Sequence, residues 1–190
     1  MHKPSALKPG DRIRLVAPSS PPKDRASLEV AISALKNLGY RVHYSDSIFS
    51  RSGYLAGSDE DRARDFQDAF TDETSDAVLS VRGGYGATRI LELVDWDVIQ
   101  QPKVFMGFSD ITALSCALWK QCGIPSFSGP VLMSDLAGDQ TDPVSWDHAL
   151  SLVTGSKRNG PLICDPFNLS RPLALSGGEA YGRMMGGNLS

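Results

Sequence analysis

Ser109 stands inside the segment Val104-Phe105-Met106-Gly107-Phe108-Ser109-Asp110-Ile111-Thr112. The segment opens as a short apolar run suited to a buried parallel strand. After Gly107 the pattern turns helical, from Asp110 to Gly123, with Ile111, Leu114, Ala117 and Leu118 on one stripe. A hydroxyl at such a strand-to-helix corner is lifted clear of the sheet. Beside it lie helix-start N–H groups without intrahelical partners, which can stabilise a developing oxyanion. Ser109 therefore reads as a nucleophile. Serine is also a preferred helix N-cap, and from this segment alone the two readings stand side by side. Only half of the G-x-S-x-G elbow is present, because Ile111 occupies the place of the second glycine.

A second candidate is Arg82-Gly83-Gly84-Tyr85-Gly86. The run lacks the dinucleotide fingerprint, since Arg89 takes the last glycine position, and it lacks the Gly-Lys-Ser/Thr of a phosphate loop. Two uses remain: a tight turn needing positive φ, or close backbone approach to a substrate carbonyl with glycine N–H groups as oxyanion donors. The three histidines offer no positioned base. His2 is in the N-terminal tail, His43 is mid-strand, and His148 falls in a late helix where it reads as solvent-facing. Cys116, Cys122 and Cys164 have no metal-ligand spacing; the first two read as buried free thiols.

The elements that must position these residues alternate. Strands are expected at Arg12–Ala17, Tyr40–Tyr44, Ala77–Val81, Val104–Gly107 and Ile124–Phe127. Helical spacing joins Leu28, Ala31, Ile32, Leu35 and Leu38, with Gly39 as the stop. Ser58 caps a helix with an acidic first turn and a buried side of Ala63, Phe66, Ala69 and Phe70. A further helix is expected from Ala87, carrying Ile90, Leu91 and Val94. This order predicts an α/β fold, a doubly wound and mostly parallel sheet with helices on both faces. Sites in such sheets form outside the carboxyl ends of the strands. Pro18-Ser19, Arg82-Gly83-Gly84 and Ser109 all fall there, which points to one site.

Residues 1–137 are thus an N-terminal α/β domain, and 138–172 a short helix and a Gly/Pro/Asn/Ser-rich linker. Residues 173–190 read as the start of a further domain: Gly182-Arg183-Met184-Met185 as a strand, Gly186-Gly187 as a turn, Asn188 as a helix cap. The chain is therefore expected to be the front part of a longer protein. At 41% hydrophobic and 22% charged residues it can build a real core. A net charge of −3 with interspersed signs excludes a nucleic-acid footprint. No segment reads as a signal peptide or membrane span, and an odd cysteine count fits a reducing compartment, so a soluble cytoplasmic protein is expected.

Val81-Arg82-Gly83-Gly84-Tyr85-Gly86-Ala87-Thr88-Arg89 followed by Gly107-Phe108-Ser109-Asp110-Ile111-Thr112 resembles the LD-carboxypeptidases, serine peptidases of family S66. Leu15-Val16-Ala17-Pro18-Ser19, Phe127-Ser128-Gly129-Pro130 and Gly186-Gly187-Asn188-Leu189-Ser190 are further landmarks in the same order. The resemblance implies a Ser-Glu-His hydrolase that releases terminal D-alanine from peptidoglycan tetrapeptides during murein recycling. It makes Ser109 the nucleophile, the backbone N–H groups of Gly84 and Asp110 the oxyanion hole, and Arg82, Gly83 and Tyr85 substrate-binding residues. It implies no metal or other cofactor, and a tendency to form homodimers. In that family the Glu and His lie in a second domain beyond the Gly-Gly-Asn-Leu-Ser landmark, where this sequence stops, so the 190 residues alone are expected to be inactive. Two alternatives stay open: the microcin C immunity branch, which cleaves peptidyl-nucleotide amides, and a non-catalytic small-ligand module in which Ser109 only caps its helix.

Overall fold

The computed structural model describes residues 2–136, 143–156, 177–179 and 181. Strands β1 (Arg12–Val16), β2 (Arg41–Tyr44), β3 (Ala77–Ser80), β4 (Val104–Gly107) and β5 (Phe127–Ser128) form one sheet in the order β2-β1-β3-β4-β5. Every pairing is parallel. The central strands β3 and β4 bury all their residues, as continuous apolar runs covered on both sides must.

The winding reverses once. From β1 the chain moves outward to β2 through α1 (Arg25–Asn37), crosses back to β3 through α2 (Asp59–Thr71), and continues to β4 and β5. Right-handed crossovers in opposite directions place their connections on opposite faces. On one face Leu28, Ala31, Ile32 and Leu35 of α1 pack on Ile13, Leu15, Leu79 and Met106, joined by Trp146, Ala149 and Val153 of the later helix Pro143–Val153. On the other, Phe66 and Phe70 of α2 set their ring centroids 5.5 and 5.8 Å from Phe105. Val78, Ile111, Leu114 and Leu118 complete that layer. Ser58 caps α2 as its spacing predicts, its hydroxyl accepting the Asp61 N–H at 3.1 Å.

Four expectations need correction. No α-helix follows Ala87: a 3-10 turn at Ala87–Ile90 is followed by another at Trp96–Val98. Ile90 and Val94 are buried as predicted, but the Asp95 carboxylate takes the Asp97 N–H and starts a new turn before a helix can extend. The helix after Ser109 is composite, with a 3-10 turn at Ser109–Ile111, an α-helical segment at Thr112–Ala117 and a π turn at Leu118–Cys122. β5 begins at Phe127 rather than Ile124, because Pro125 has no N–H for a ladder. Cys116 and Cys122 are half-buried rather than buried, and burial pushes the Cys122 thiol up. Cys164, almost all of the expected linker and the elements expected over 182–190 lie outside the described residues.

At the amino end of the sheet α2 closes over a polar cluster. Its C-cap residue, Asp72, accepts from Ser75 Oγ and Thr74 Oγ1 at 2.7 Å each and from Thr74 N at 2.9 Å; His43 Nε2 lies 3.0 Å away. Burial opposes ionisation of Asp72, yet these bonds outweigh it and hold the carboxyl well below the usual carboxylate range. Lys103 donates to Ala69 O and Asp72 O at the same helix end, and burial pushes its ammonium down to about 8.

A depressed folded-state pKa gives Asp72 a stabilising effect that is present above the unfolded carboxyl value, near 4, and is lost as pH falls through the folded value. Asp72→Asn should lower stability by about 1–3 kcal/mol at pH 7 and flatten the acid limb of the stability profile below about pH 4. Urea unfolding at a series of pH values checks both; an unchanged acid limb would show that Asp72 does not set it.

Candidate active site

The site follows from the reversal of winding. In a sheet ordered 2-1-3-4-5 the loops leaving β1 and β3 part to opposite faces and open a crevice. The β1 loop, Pro18–Pro22, is buried throughout, with Ser19 wholly so. The β3 loop carries Arg82–Gly86, and the neighbouring strand β4 delivers Ser109. All three predicted strand-end segments are therefore brought together.

Ser109 has φ +63°, the one positive value at a non-glycine residue among the described residues. The cap position of its turn belongs to Phe108, in extended conformation and without a side-chain cap bond. An N-cap serine holds an extended backbone, so the capping reading of Ser109 does not describe its conformation. Gly107 makes the corner possible: a Cβ there would come within 2.7 Å of Ile111 Cγ2. Gly83 faces the serine so closely that an added Cβ would stand 3.2 Å from Ser109 Cβ and 3.5 Å from its Oγ. At Gly84, φ is +130° and a Cβ would meet Ser20 Oγ at 2.2 Å, so only glycine fits. The glycine loop is thus turned toward Ser109, which is half-buried.

Polar side chains that the sequence reading left unassigned hold this arrangement. One carboxylate oxygen of Asp110 accepts from Ser19 Oγ at 2.6 Å and from Ala87 N at 2.8 Å, tying all three loops. Arg62, on α2, is 2% exposed. It donates to Pro18 O, to Gly86 O at 3.0 Å and to the Asp59 carboxylate. Arg89 grips that carboxylate from outside through Nε at 2.9 Å and Nη2 at 2.7 Å. The Arg89 hydrogen bond, joined by Arg62 against a smaller effect of burial, holds Asp59 below the usual carboxylate range. The signal for Arg62 was its spacing: it falls on the same helical stripe as Phe66, Ala69 and Phe70, where a cation is buried only if partnered.

Around the crevice Arg82 is exposed, and Tyr85 packs edge-on against Tyr54 with centroids 5.8 Å apart. The bridge Ser52–Leu55 presents Tyr54 from a stretch that reads in sequence only as polar. Phe108 lines a cavity of about 530 Å³, walled also by Met106, Phe127, Ser128, His148 and Leu152. His148 is therefore half-buried rather than solvent-facing, and Ser109 does not line that cavity. His43 pairs with Asp72 on β2, three strand positions from β4, or about 14 Å at the usual strand spacing. Among the described residues no group of three or more His, Cys, Asp or Glu side chains is placed to hold a metal, and no helix is long and apolar enough to cross a membrane.

Residues 13–129 match the family profile of the LD-carboxypeptidase N-terminal domain, peptidase family S66. A probable murein peptide carboxypeptidase of Bacillus subtilis is 36% identical over 190 residues, covering 100% of this chain and 58% of its own length. The murein tetrapeptide carboxypeptidase of Pseudomonas aeruginosa is 36% identical over 184 residues, covering 94% and 58%. Among solved structures, an MccF-like protein from Bacillus anthracis aligns with a TM-score of 0.76 at 31% identity, over 81% of this chain and 47% of that one. The chain therefore spans little more than half the length of the curated relatives it matches.

The left-handed backbone at residue 109 makes a prediction that needs no substrate. Ser109→Gly should be more stable than Ser109→Ala by about 1 kcal/mol, because only glycine takes this φ without a Cβ clash. Chemical denaturation of the two variants measures the difference; equal midpoints would place residue 109 in an ordinary conformation.

Proposed function

The chain belongs to the LD-carboxypeptidase family, and from that premise we propose that it supplies the nucleophile and oxyanion hole of a serine carboxypeptidase acting on the L,D-amide before a terminal D-alanine of peptidoglycan tetrapeptides. The observation that carries this reading is the strained turn: a serine held at φ +63° at a strand-to-helix corner, with Gly83 against it. Non-glycine residues persist in that region only where the surroundings fix them, and such positions cluster at functional sites.

In the proposed mechanism Ser109 Oγ attacks the scissile carbonyl carbon. The backbone N–H groups of Gly84 and Asp110 receive the oxyanion, and expulsion of the D-alanine amine leaves an ester on Ser109. Water then hydrolyses the ester, releasing the tripeptide acid and restoring the hydroxyl. The exposed guanidinium of Arg82 is matched to the carboxylate of the departing D-residue, with Gly83 and Tyr85 beside the peptide. A serine hydroxyl needs a base within hydrogen-bond reach. We assign the Glu and His of the triad to a second domain beyond residue 190, so residues 1–190 alone should not turn over. On this proposal the nucleophile belongs to an N-terminal domain of residues 1–137, followed by a linker over 138–172 and the start of a further domain over 173–190. Murein recycling in the cytoplasm, as a homodimer, is the setting the family relation suggests.

The similarity to an MccF-like protein supports a second reading, hydrolysis of a peptidyl-nucleotide amide at the same serine. Competing the two substrates against one enzyme separates them. In the full-length protein, Ser109→Ala should cut D-alanine release from L,D-tetrapeptide by at least about a thousandfold. A much smaller loss would remove Ser109 from the nucleophile's role, and normal turnover by residues 1–190 alone would remove the need for a second domain.

A further inference from the structure

The Gly86–Ala87 peptide group is held at both of its polar ends by ionised side chains. Its carbonyl accepts from Arg62 Nη1 at 3.0 Å, and its N–H donates to Asp110 Oδ2 at 2.8 Å. The β1 loop is gripped in the same manner, Pro18 O by Arg62 and the Ser19 hydroxyl by Asp110 at 2.6 Å. Arg62 and Asp110 thus share two pairs of partners on two loops. Arg62 is anchored from behind by Asp59, which Arg89 fixes in turn.

We infer that Arg62 and Asp110 act as one positioning clamp, joined through the Gly86–Ala87 peptide, that sets the gap between the Gly83–Gly84 backbone and Ser109. The inference rests on the peptidase reading for its catalytic consequence but not for its structural one. A peptide placed between a cation and an anion is polarised by both, and each hydrogen bond strengthens the other. The two residues should therefore be coupled in energy. Geometry gives the clamp its purpose. Gly84 and Gly86 both take positive φ, at +130° and +113°, so the loop has backbone freedom that must be removed if its N–H groups are to meet an oxyanion without reorganisation. Apolar packing contributes the Tyr54–Tyr85 ring pair and Leu55 beside Gly86, but Arg82, Gly84 and Tyr85 are exposed, so the hydrogen bonds to the Gly86–Ala87 peptide carry the fixing. The clamp fastens the loop at its far end, one residue beyond Tyr85, and leaves the substrate side open.

The test uses the full-length protein and a double-mutant cycle of Arg62→Gln and Asp110→Ala, read by D-alanine release and by amide hydrogen exchange across residues 83–87. Each single variant should lower kcat by about a hundredfold, the scale of a misplaced catalytic group, with KM changed by no more than about threefold. The double variant should be about tenfold more active than the product of the single losses predicts. Exchange across 83–87 should accelerate in both single variants, and Asp110→Asn, whose amide oxygen still accepts both bonds, should restore most of the rate and the protection. If Arg62→Gln does not fold, Arg62→Lys keeps the charge but loses the planar fork that spans its partners. The same loop acceleration is then expected from Arg62→Lys and from Ser19→Ala. Additive losses in the cycle, or unchanged exchange in the loop, would overturn the clamp. Should Ser109→Ala prove fully active, the peptidase reading fails by itself, while the exchange data and a cycle of unfolding free energies still decide whether the clamp exists.

Discussion

Loops at the carboxyl edge of a parallel sheet carry backbone groups that the ladder no longer satisfies, and burying them is unfavourable unless each finds a partner. The β1 loop meets this constraint in its strongest form, since Pro18 to Pro22 is buried throughout. Its carbonyl at Pro18 goes to Arg62, its hydroxyl at Ser19 to Asp110, and the Ser19 carbonyl accepts from Ala56 N at 3.0 Å. Bringing a guanidinium and a carboxylate to such an edge carries a desolvation cost that hydrogen bonding must offset. Arg62 answers it with three partners, though its Nε has none among the described residues. Asp110 answers it with two bonds to one oxygen. The same groups that satisfy the loops also fix their spacing.

Helix α2 connects this edge to the opposite one. Arg62 and Asp59 stand in its first turn beside the crevice, and Asp72 closes its last turn over His43, Ser75 and Lys103. Between them Phe66 and Phe70 pack on Phe105, and Asp65 pairs at 2.9 Å with Arg14, whose other Nη lies 3.9 Å from Asp72. The two charge clusters stand at opposite ends of a helix of 13 residues, about 20 Å apart.

The sheet was legible because its strands are buried on both faces: Val78, Leu79, Val104, Phe105 and Met106 read as strands from composition alone. Convergence of Ser19, Gly83 and Ser109 followed from one rule about parallel sheets. The irregular helix after β3 was not legible. Ile90, Leu91 and Val94 have helical spacing, and spacing cannot register that the Asp95 side chain would capture a neighbouring amide. Arg62 and the carboxylate of Asp110 were missed for a different reason. Asp59 is a local partner of Arg62, but the loop partners lie 24 and 44 residues away for Arg62, and 23 and 91 residues away for Asp110. No local pattern encodes such pairings; a buried arginine shows in sequence only as a charge on an apolar stripe.

The corner before the helix separates backbone need from chemical need. Gly107 supplies room for Ile111 to fold back over the strand end, and a side chain there has no use. At residue 109 the backbone would also favour glycine, since left-handed φ costs an L-residue about 1–2 kcal/mol. A serine stands there instead. The turn that bears this cost is held by the Phe108 carbonyl, which accepts from Ile111 N at 3.3 Å, and by the Asp110 carboxylate, bonded to Ser19 and Ala87. A hydroxyl retained against the backbone's preference, beside a glycine loop pinned by buried charges, is difficult to account for as scaffolding. It follows directly if the oxygen must stand clear of the sheet, next to amide hydrogens already in place, when a carbonyl arrives.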